Sequence, residues 1–222
     1  MKNFRWPSCS SIKRGLIAST LLALMTLPGV ATAGAADAKG KSLYTSCKAC
    51  HGARGEGNRA LGAPGIAGMD AWYLTAQLDN FASGKRGTKA GDSYGAQMRA
   101  GSAPVNTAAN RPALVAYVSS LPKVPTPGQK PAKANLANGA TNFNALCSAC
   151  HSANGSGNKS LGAPRLAGMD SVYLSRQFSN FRTGKRGYSP NDKVGKQMAA
   201  ISKMLDPKAE PDVLAYIQTL KP

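Results

Sequence analysis

The pentapeptide Cys47-Lys48-Ala49-Cys50-His51 returns 100 residues later as Cys147-Ser148-Ala149-Cys150-His151. C-x-x-C-H is the attachment signature of c-type haem, and the spacing has a chemical reason. Two thiols three positions apart on one helical turn can each form a thioether with a vinyl group of the same porphyrin. The His after the second Cys then lies under the iron as the proximal ligand. Two competing readings are disfavoured. A zinc site wants a second C-x-x-C or paired His, and the chain has only two His and five Cys. A disulfide between the two thiols would not need the His.

The motif sits inside a longer duplication. Gly62-Ala63-Pro64 returns as Gly162-Ala163-Pro164, and Ile66-Ala67-Gly68-Met69-Asp70 as Leu166-Ala167-Gly168-Met169-Asp170. Tyr73, Leu74, Gln77, Leu78 and Phe81 fall on one helical face, repeated by Tyr173, Leu174, Gln177, Phe178 and Phe181. Gly84-Lys85-Arg86-Gly87 and Gln97-Met98 also return at the same offset. The segment 122–135 holds four prolines and three lysines and reads as a semi-rigid linker. The expected order is therefore a leader (1–33), a first domain (34–121), the linker (122–135) and a second domain (136–222).

Within the first domain the pattern predicts a helix over 37–50, a glycine-rich loop over 52–68 and a helix capped by Asp70. A second loop carrying Gln97-Met98 follows, and Pro112 opens a last helix. No period-two pattern supports strands, so the expected class is all-α. Each copy has under 100 residues, few aromatic residues and many glycines. Such a unit buries little surface on its own, and a covalently held porphyrin would supply the missing apolar core.

The first 33 residues read as an export signal. Lys2, Arg5, Lys13 and Arg14 precede an apolar run over 16–30, and Ala31-Thr32-Ala33 offers a small-residue cleavage site. The run is shorter than the about 20 residues of a membrane span. Cys9 would leave with the signal, and the other four Cys all belong to the haem motifs. The expected compartment is the periplasm. Removal of the signal leaves 24 Lys+Arg against ten Asp+Glu. This basic surface fits acidic docking surfaces on redox proteins or an anionic membrane surface. No nucleic-acid motif accompanies the charge, so nucleic acid is not expected as a partner.

The two His are used as proximal ligands, which leaves Met, another weak ligand or an open site opposite each iron. A thioether suits low-spin iron and raises its potential. The candidates are Met69, Met98, Met169, Met198 and Met204. Met204 has no counterpart in the first copy, where Pro104 stands. Met69 and Met169 lie 18 residues after their His, and Met98 and Met198 lie 47 residues after theirs. The longer excursion passes round the porphyrin edge more easily, which favours Met98 and Met198. Core filling remains the bland use of any Met.

Together, the tandem C-x-x-C-H motifs, the Gly-Ala-Pro loops, the Tyr-Leu-x-x-Gln helices, the Gly-Lys-Arg-Gly turns and the late Gln-Met resemble the two-domain, two-haem class I cytochromes c of the cytochrome c4 type. The resemblance implies two class I cytochrome c folds about a pseudo-twofold axis, each holding one covalent haem c. By position it places covalent attachment at Cys47, Cys50, Cys147 and Cys150. It places axial ligation at His51 with Met98 and at His151 with Met198. It also gives Pro64 and Pro164 the carbonyls that accept the proximal imidazole N–H. Two features depart from the family pattern: residues 103–111 do not match their second-copy counterpart, and the chain is unusually basic.

The function implied is one-electron transfer between a respiratory donor complex or dehydrogenase and a terminal oxidase, with no bond chemistry. Lys85, Arg86, Lys185 and Arg186 are candidates for docking. An alternative is a dedicated cytochrome subunit of a periplasmic dehydrogenase oxidising a sulfur compound or an alcohol. A dihaem enzyme, such as a peroxidase or thiosulfate-oxidising cytochrome, would need acid–base or thiolate groups, and no His or mature Cys is spare.

Overall fold

The computed structural model describes residues 33–124 and 133–221, with side chains from residue 37 onward. The expected signal, including Cys9, and the central part of the linker lie outside the described residues. The described residues form helices and turns, with isolated bridges at Asn58–Ala63 and Asn158–Ala163 in place of a sheet. The all-α expectation holds.

The first half runs α1 (Ala33–Tyr44), α2 (Lys48–His51), α3 (Ala71–Ala82), α4 (Ser93–Ser102), a 3₁₀ turn (Ala103–Val105) and α5 (Arg111–Ser120). The second runs α6 (Leu136–Leu146), α7 (Ser148–His151), a 3₁₀ turn (Lys159–Leu161), α8 (Ser171–Arg182), α9 (Lys193–Met204) and α10 (Glu210–Ile217). The single helix expected over 37–50 is thus two helices. A turn at 45–47 separates them and lets α2 start afresh as the haem-motif turn.

In each half the first and last helices cross at a glycine. A Cβ on Gly40 would stand 2.4 Å from the Ala113 carbonyl oxygen, and one on Gly139 would stand 2.2 Å from the Asp212 oxygen. Only a residue without a Cβ allows so close an approach of two backbones. Aromatic pairs seal the crossings: Tyr44 with Tyr117 at 5.6 Å and Phe143 with Tyr216 at 5.5 Å between ring centroids. Tyr44 and Phe143 are fully buried, each contributing about 2–3 kcal/mol of apolar burial. These contacts also show that the repeat offset falls from 100 to 99 outside the haem segment. The second half has one more residue between the crossing and the motif, and one fewer between Met198 and its last helix.

Around these crossings lie two apolar cores. Tyr44, Val105, Leu114 and Val118 form the first. Phe143, Leu174, Leu205, Ala209, Val213 and Ile217 form the second. Pro112 stands in the first turn of α5, as expected from its missing N–H.

Candidate haem sites

Both haem motifs fold as one tight turn. The His51 and His151 backbone N–H groups bond back to the Cys47 and Cys147 carbonyls at 2.8 and 2.9 Å. All four thiols are free. Burial pushes the Cys147 thiol up to about 11 and raises Cys47 as well. No group of three or more His, Cys, Asp or Glu among the described residues could hold a metal ion.

The two imidazoles are fixed alike. His51 Nδ1 lies 2.9 Å from the Pro64 carbonyl oxygen, and His151 Nδ1 lies 2.8 Å from that of Pro164. A carbonyl oxygen only accepts, so Nδ1 carries the proton and donates. Nε2 is left with a free lone pair, the form that binds a metal. Burial reinforces this by lowering both His pKa values, against the opposing pull of the proline carbonyls. The loop that brings Pro64 into place is closed by the Asn58–Ala63 bridge and by bonds from Ile66 N and Ala67 N to the Gly55 oxygen.

In the first half these groups open on one cavity. Cys47, Cys50 and His51 line it from the haem-motif turn, and Leu74, Leu78 and Phe81 from α3. Met98 and Ser102 line it from α4, and Leu114 and Val118 from α5. An apolar slot with two thiols, an imidazole presenting Nε2 and a thioether fits a covalently held haem. Cys47, Cys50, His51 and Met98, four of the residues expected from sequence, line it together.

One expectation is corrected here. Gln97-Met98 and Gln197-Met198 do not lie in loops; they stand on α4 and α9. Asp92 and Asp192 cap these helices, accepting from Gly95 N at 3.0 Å and Gly195 N at 2.8 Å. The glycines at 95, 101 and 195 gave these segments the composition of a loop, while the Asp caps were the signal that could have revealed a helix. A helical Met is better fixed than a loop Met, since its helix forms one wall of the cavity. Met69 lines the cavity too, whereas its counterpart Met169 packs against the second apolar core. Met204 is 65% exposed.

A second correction concerns the basic turns. Arg86 and Arg186 are 6% and 7% exposed, so neither is available to dock a partner. Lys85 and Lys185 are half-buried. The arginines point instead into the junction between the halves, where they meet Gln77 and Gln177. The sequence marked all four positions as repeats but gave them other uses. Other bonds across the junction join Arg59 to Asp170 and Arg176 to the Gly62 oxygen.

The comparisons with known proteins agree with this geometry. The family model described as cytochrome c matches residues 38–122 and again 136–221. The "Thiosulfate dehydrogenase electron acceptor" of Stutzerimonas stutzeri (strain A1501) is 33% identical, over 91% of this chain and 90% of the relative. Cytochrome c4 of Azotobacter vinelandii is 31% identical, over 90% of this chain and 97% of its own length. The crystal structure of reduced recombinant cytochrome c4 from Pseudomonas stutzeri superposes with a TM-score of 0.63 at 26% identity, covering 83% of this chain and 98% of that one. With two matched haem-motif regions in tandem, this chain belongs to the cytochrome c family, as a dihaem electron-transfer protein of the cytochrome c4 type with two covalently bound haem c groups.

Proposed function

We propose that the protein is a periplasmic carrier that moves single electrons from a respiratory donor complex or dehydrogenase to a terminal oxidase. Attachment runs through Cys47 and Cys50 in one half and Cys147 and Cys150 in the other. His51 with Met98, and His151 with Met198, would hold the two irons. The observation that carries the reading is the matched His–Pro bond in both halves, which turns each Nε2 lone pair toward metal binding. Bound haem supplies the one-electron couple. The chain supplies a neutral imidazole held at Nδ1, a thioether on a capped helix and an apolar wall that excludes water. The similarity to proteins named cytochrome c4 supports a carrier rather than an enzyme. Export through residues 1–33, and docking of the basic surface on acidic protein partners or anionic lipid, complete the proposal. No helix among the described residues is long and apolar enough to cross a membrane.

The test is an optical spectrum of the holoprotein from a host able to attach haem. Met98→Ala and Met198→Ala should each remove about half of the long-wavelength ferric band of Met-ligated iron, and each should lower one reduction potential. Carbon monoxide should not bind the reduced parent protein. A spectrum unmoved by both substitutions sinks the Met assignment.

One observation favours a narrower second reading. The relative from Stutzerimonas stutzeri is named as the electron acceptor of a thiosulfate dehydrogenase. On that reading this chain serves a sulfur-compound dehydrogenase. Rapid reduction by such a dehydrogenase with thiosulfate, and none by thiosulfate alone, would support it. Reduction by thiosulfate alone would make the chain an enzyme and overturn the carrier reading.

A further inference from the structure

The two haem motifs have matching turns beside them, and the surroundings of those turns differ. Leu61, Gly62 and Tyr94 line the first cavity together with its thiols and imidazole. Their counterparts in the second half are Leu161, Gly162 and Val194. The turn carrying Leu161 packs against the start of α9, since a Cβ on Gly162 would stand 2.9 Å from Val194 Cγ2. Leu161 and Val194 are 47% and 46% exposed. Leu61 and Tyr94 are exposed as well, so an apolar pair at this place is common to both halves.

Charge separates them. Lys159 opens the turn that ends at Leu161, and Lys193 and Lys196 flank Val194 at the start of α9. All three lysines are exposed. None takes part in the ion pairs found among the described residues, Arg59–Asp170, Arg111–Asp79 and Arg182–Glu210. In the first half the same positions hold Arg59, Ser93 and Ala96. Arg59 is bound to Asp170 of the second half at 2.5 Å. Arg176 of the second half also reaches over, donating to the Gly62 oxygen and lying 4.3 Å from the Tyr94 ring centroid. Its counterpart is Ala76, which has neither the charge nor the length to return the contact. The first turn is therefore tied into the junction, while the second receives no matching arginine.

The lysines also stand where the helix itself disfavours them. A helix N-terminus carries partial positive charge, and cations in the first turn are unfavourable there. Lys193 is the first residue of α9, and no acidic residue lies in that first turn. An apolar centre ringed by unpaired cations has the makeup of a docking face: the centre supplies contact, and the cations steer an acidic partner toward it.

We propose that Leu161 and Val194, ringed by Lys159, Lys193 and Lys196, form the docking face for an acidic redox protein, so that the second half and not the first meets the partner. The inference rests on the carrier reading above and adds which half makes the contact. An acidic protein is the occupant that fits, because the lysines surround a turn beside a haem motif, where an electron has to pass. Adhesion to lipid would not need that position.

The experiment is stopped-flow reduction of the full-length ferric holoprotein by flavodoxin hydroquinone, a small acidic donor. One electron passes from the flavin to ferric haem and leaves the flavin semiquinone. Lys159→Gln, Lys193→Gln and Lys196→Gln combined should lower the second-order rate constant about tenfold at low ionic strength and remove most of its salt dependence. Lys41→Gln, Arg54→Gln and Lys89→Gln combined remove the same charge from exposed positions of the first half, and should change the rate by about twofold at most. Val194→Asp should slow the reaction at high salt too, where the lysines are screened.

Equal slowing by the two sets overturns the proposal, since net charge alone would then attract the donor. An unchanged rate in the second-half set overturns it as well. So does loss of binding to phosphatidylglycerol vesicles in that set with an unchanged flavodoxin rate, which would make the patch a membrane contact. Haem staining of the denatured parent protein keeps the two readings apart. A parent without covalent haem, or with haem that takes no electron from flavodoxin, defeats the carrier reading itself.

Discussion

Asp70 and Asp170 end the same Ala-Gly-Met-Asp sequence, one in each half, and do different things. Asp170 is 6% exposed. Its Oδ1 accepts from Tyr173 N at 2.8 Å, capping α8, and its Oδ2 accepts from Arg59 Nε of the other half at 2.5 Å. Asp70 is exposed and makes no side-chain cap bond. The difference lies across the junction, since Arg59 reaches Asp170 while its counterpart Lys159 is exposed. The second half is also tied more tightly at its far end. Arg182 bonds Glu210 at 3.0 Å and the Ser202 and Leu205 carbonyls at 3.0 and 3.2 Å. Ala82 stands in its place in the first half, where α4 instead runs into a 3₁₀ turn. Duplicated sequence thus goes with duplicated His–proline geometry, while what surrounds it has diverged.

The strongest challenge to this comparison is at the helix crossings, where the halves should behave alike. Gly40→Ala and Gly139→Ala should each cost about 3 kcal/mol, read as loss of one unfolding transition in denaturant with the haem attached. A response in only one half would break the claim of equivalent crossings.

Next in size are the two aspartates, where the halves should differ. Asp170→Ala should cost about 1–2 kcal/mol as a lost cap, and Asp70→Ala only a few tenths, measured by thermal unfolding. Equal losses would show that the Arg59 contact and the cap contribute nothing.

Ser152 sharpens the comparison in the opposite direction. It holds φ at 67°, alone among the described non-glycine residues, where the first half has Gly52. Such a conformation costs on the order of 1–3 kcal/mol, partly offset by the bond from Ser152 Oγ to the Gly157 oxygen at 2.9 Å. Ser152→Gly should therefore raise stability by about 0.5–1 kcal/mol, seen as a higher midpoint for the second half alone.

The smallest effect is in acid. The Asn138 amide and the Asn135 N–H hold the Asp212 carboxyl below its ordinary value of 3.8. A depressed carboxylate stabilises the fold above its unfolded pKa, and that stability is lost as pH falls through the lower folded value. Ala113 occupies the matching place against Gly40, so the first half has no counterpart of this carboxylate. Asp212→Asn should flatten the slope of stability with pH below about 4. An unchanged slope would remove Asp212 from the comparison.

Much of the site was legible because its code is local. The Cys–Cys–His spacing, the Gly-Ala-Pro loop and the repeated Met read directly as donors and their order along the chain. Met98 and Met198 were placed in loops because glycines at 95, 101 and 195 masked helices whose only clear sign was an Asp cap. A Gly-Lys-Arg-Gly turn looks the same whether it faces water or a second domain, which hides the inward course of Arg86 and Arg186.

Sequence alone settled that there are two haem motifs and that each half is helical. These follow from covalent reach and helical period, which depend only on separation along the chain. The fold alone decided that two arginines turn inward, that Asp170 is bound while Asp70 is free of a cap bond, and that the halves share one charged junction. Those outcomes depend on groups about 100 residues apart meeting in space, and no spacing within either copy encodes that meeting.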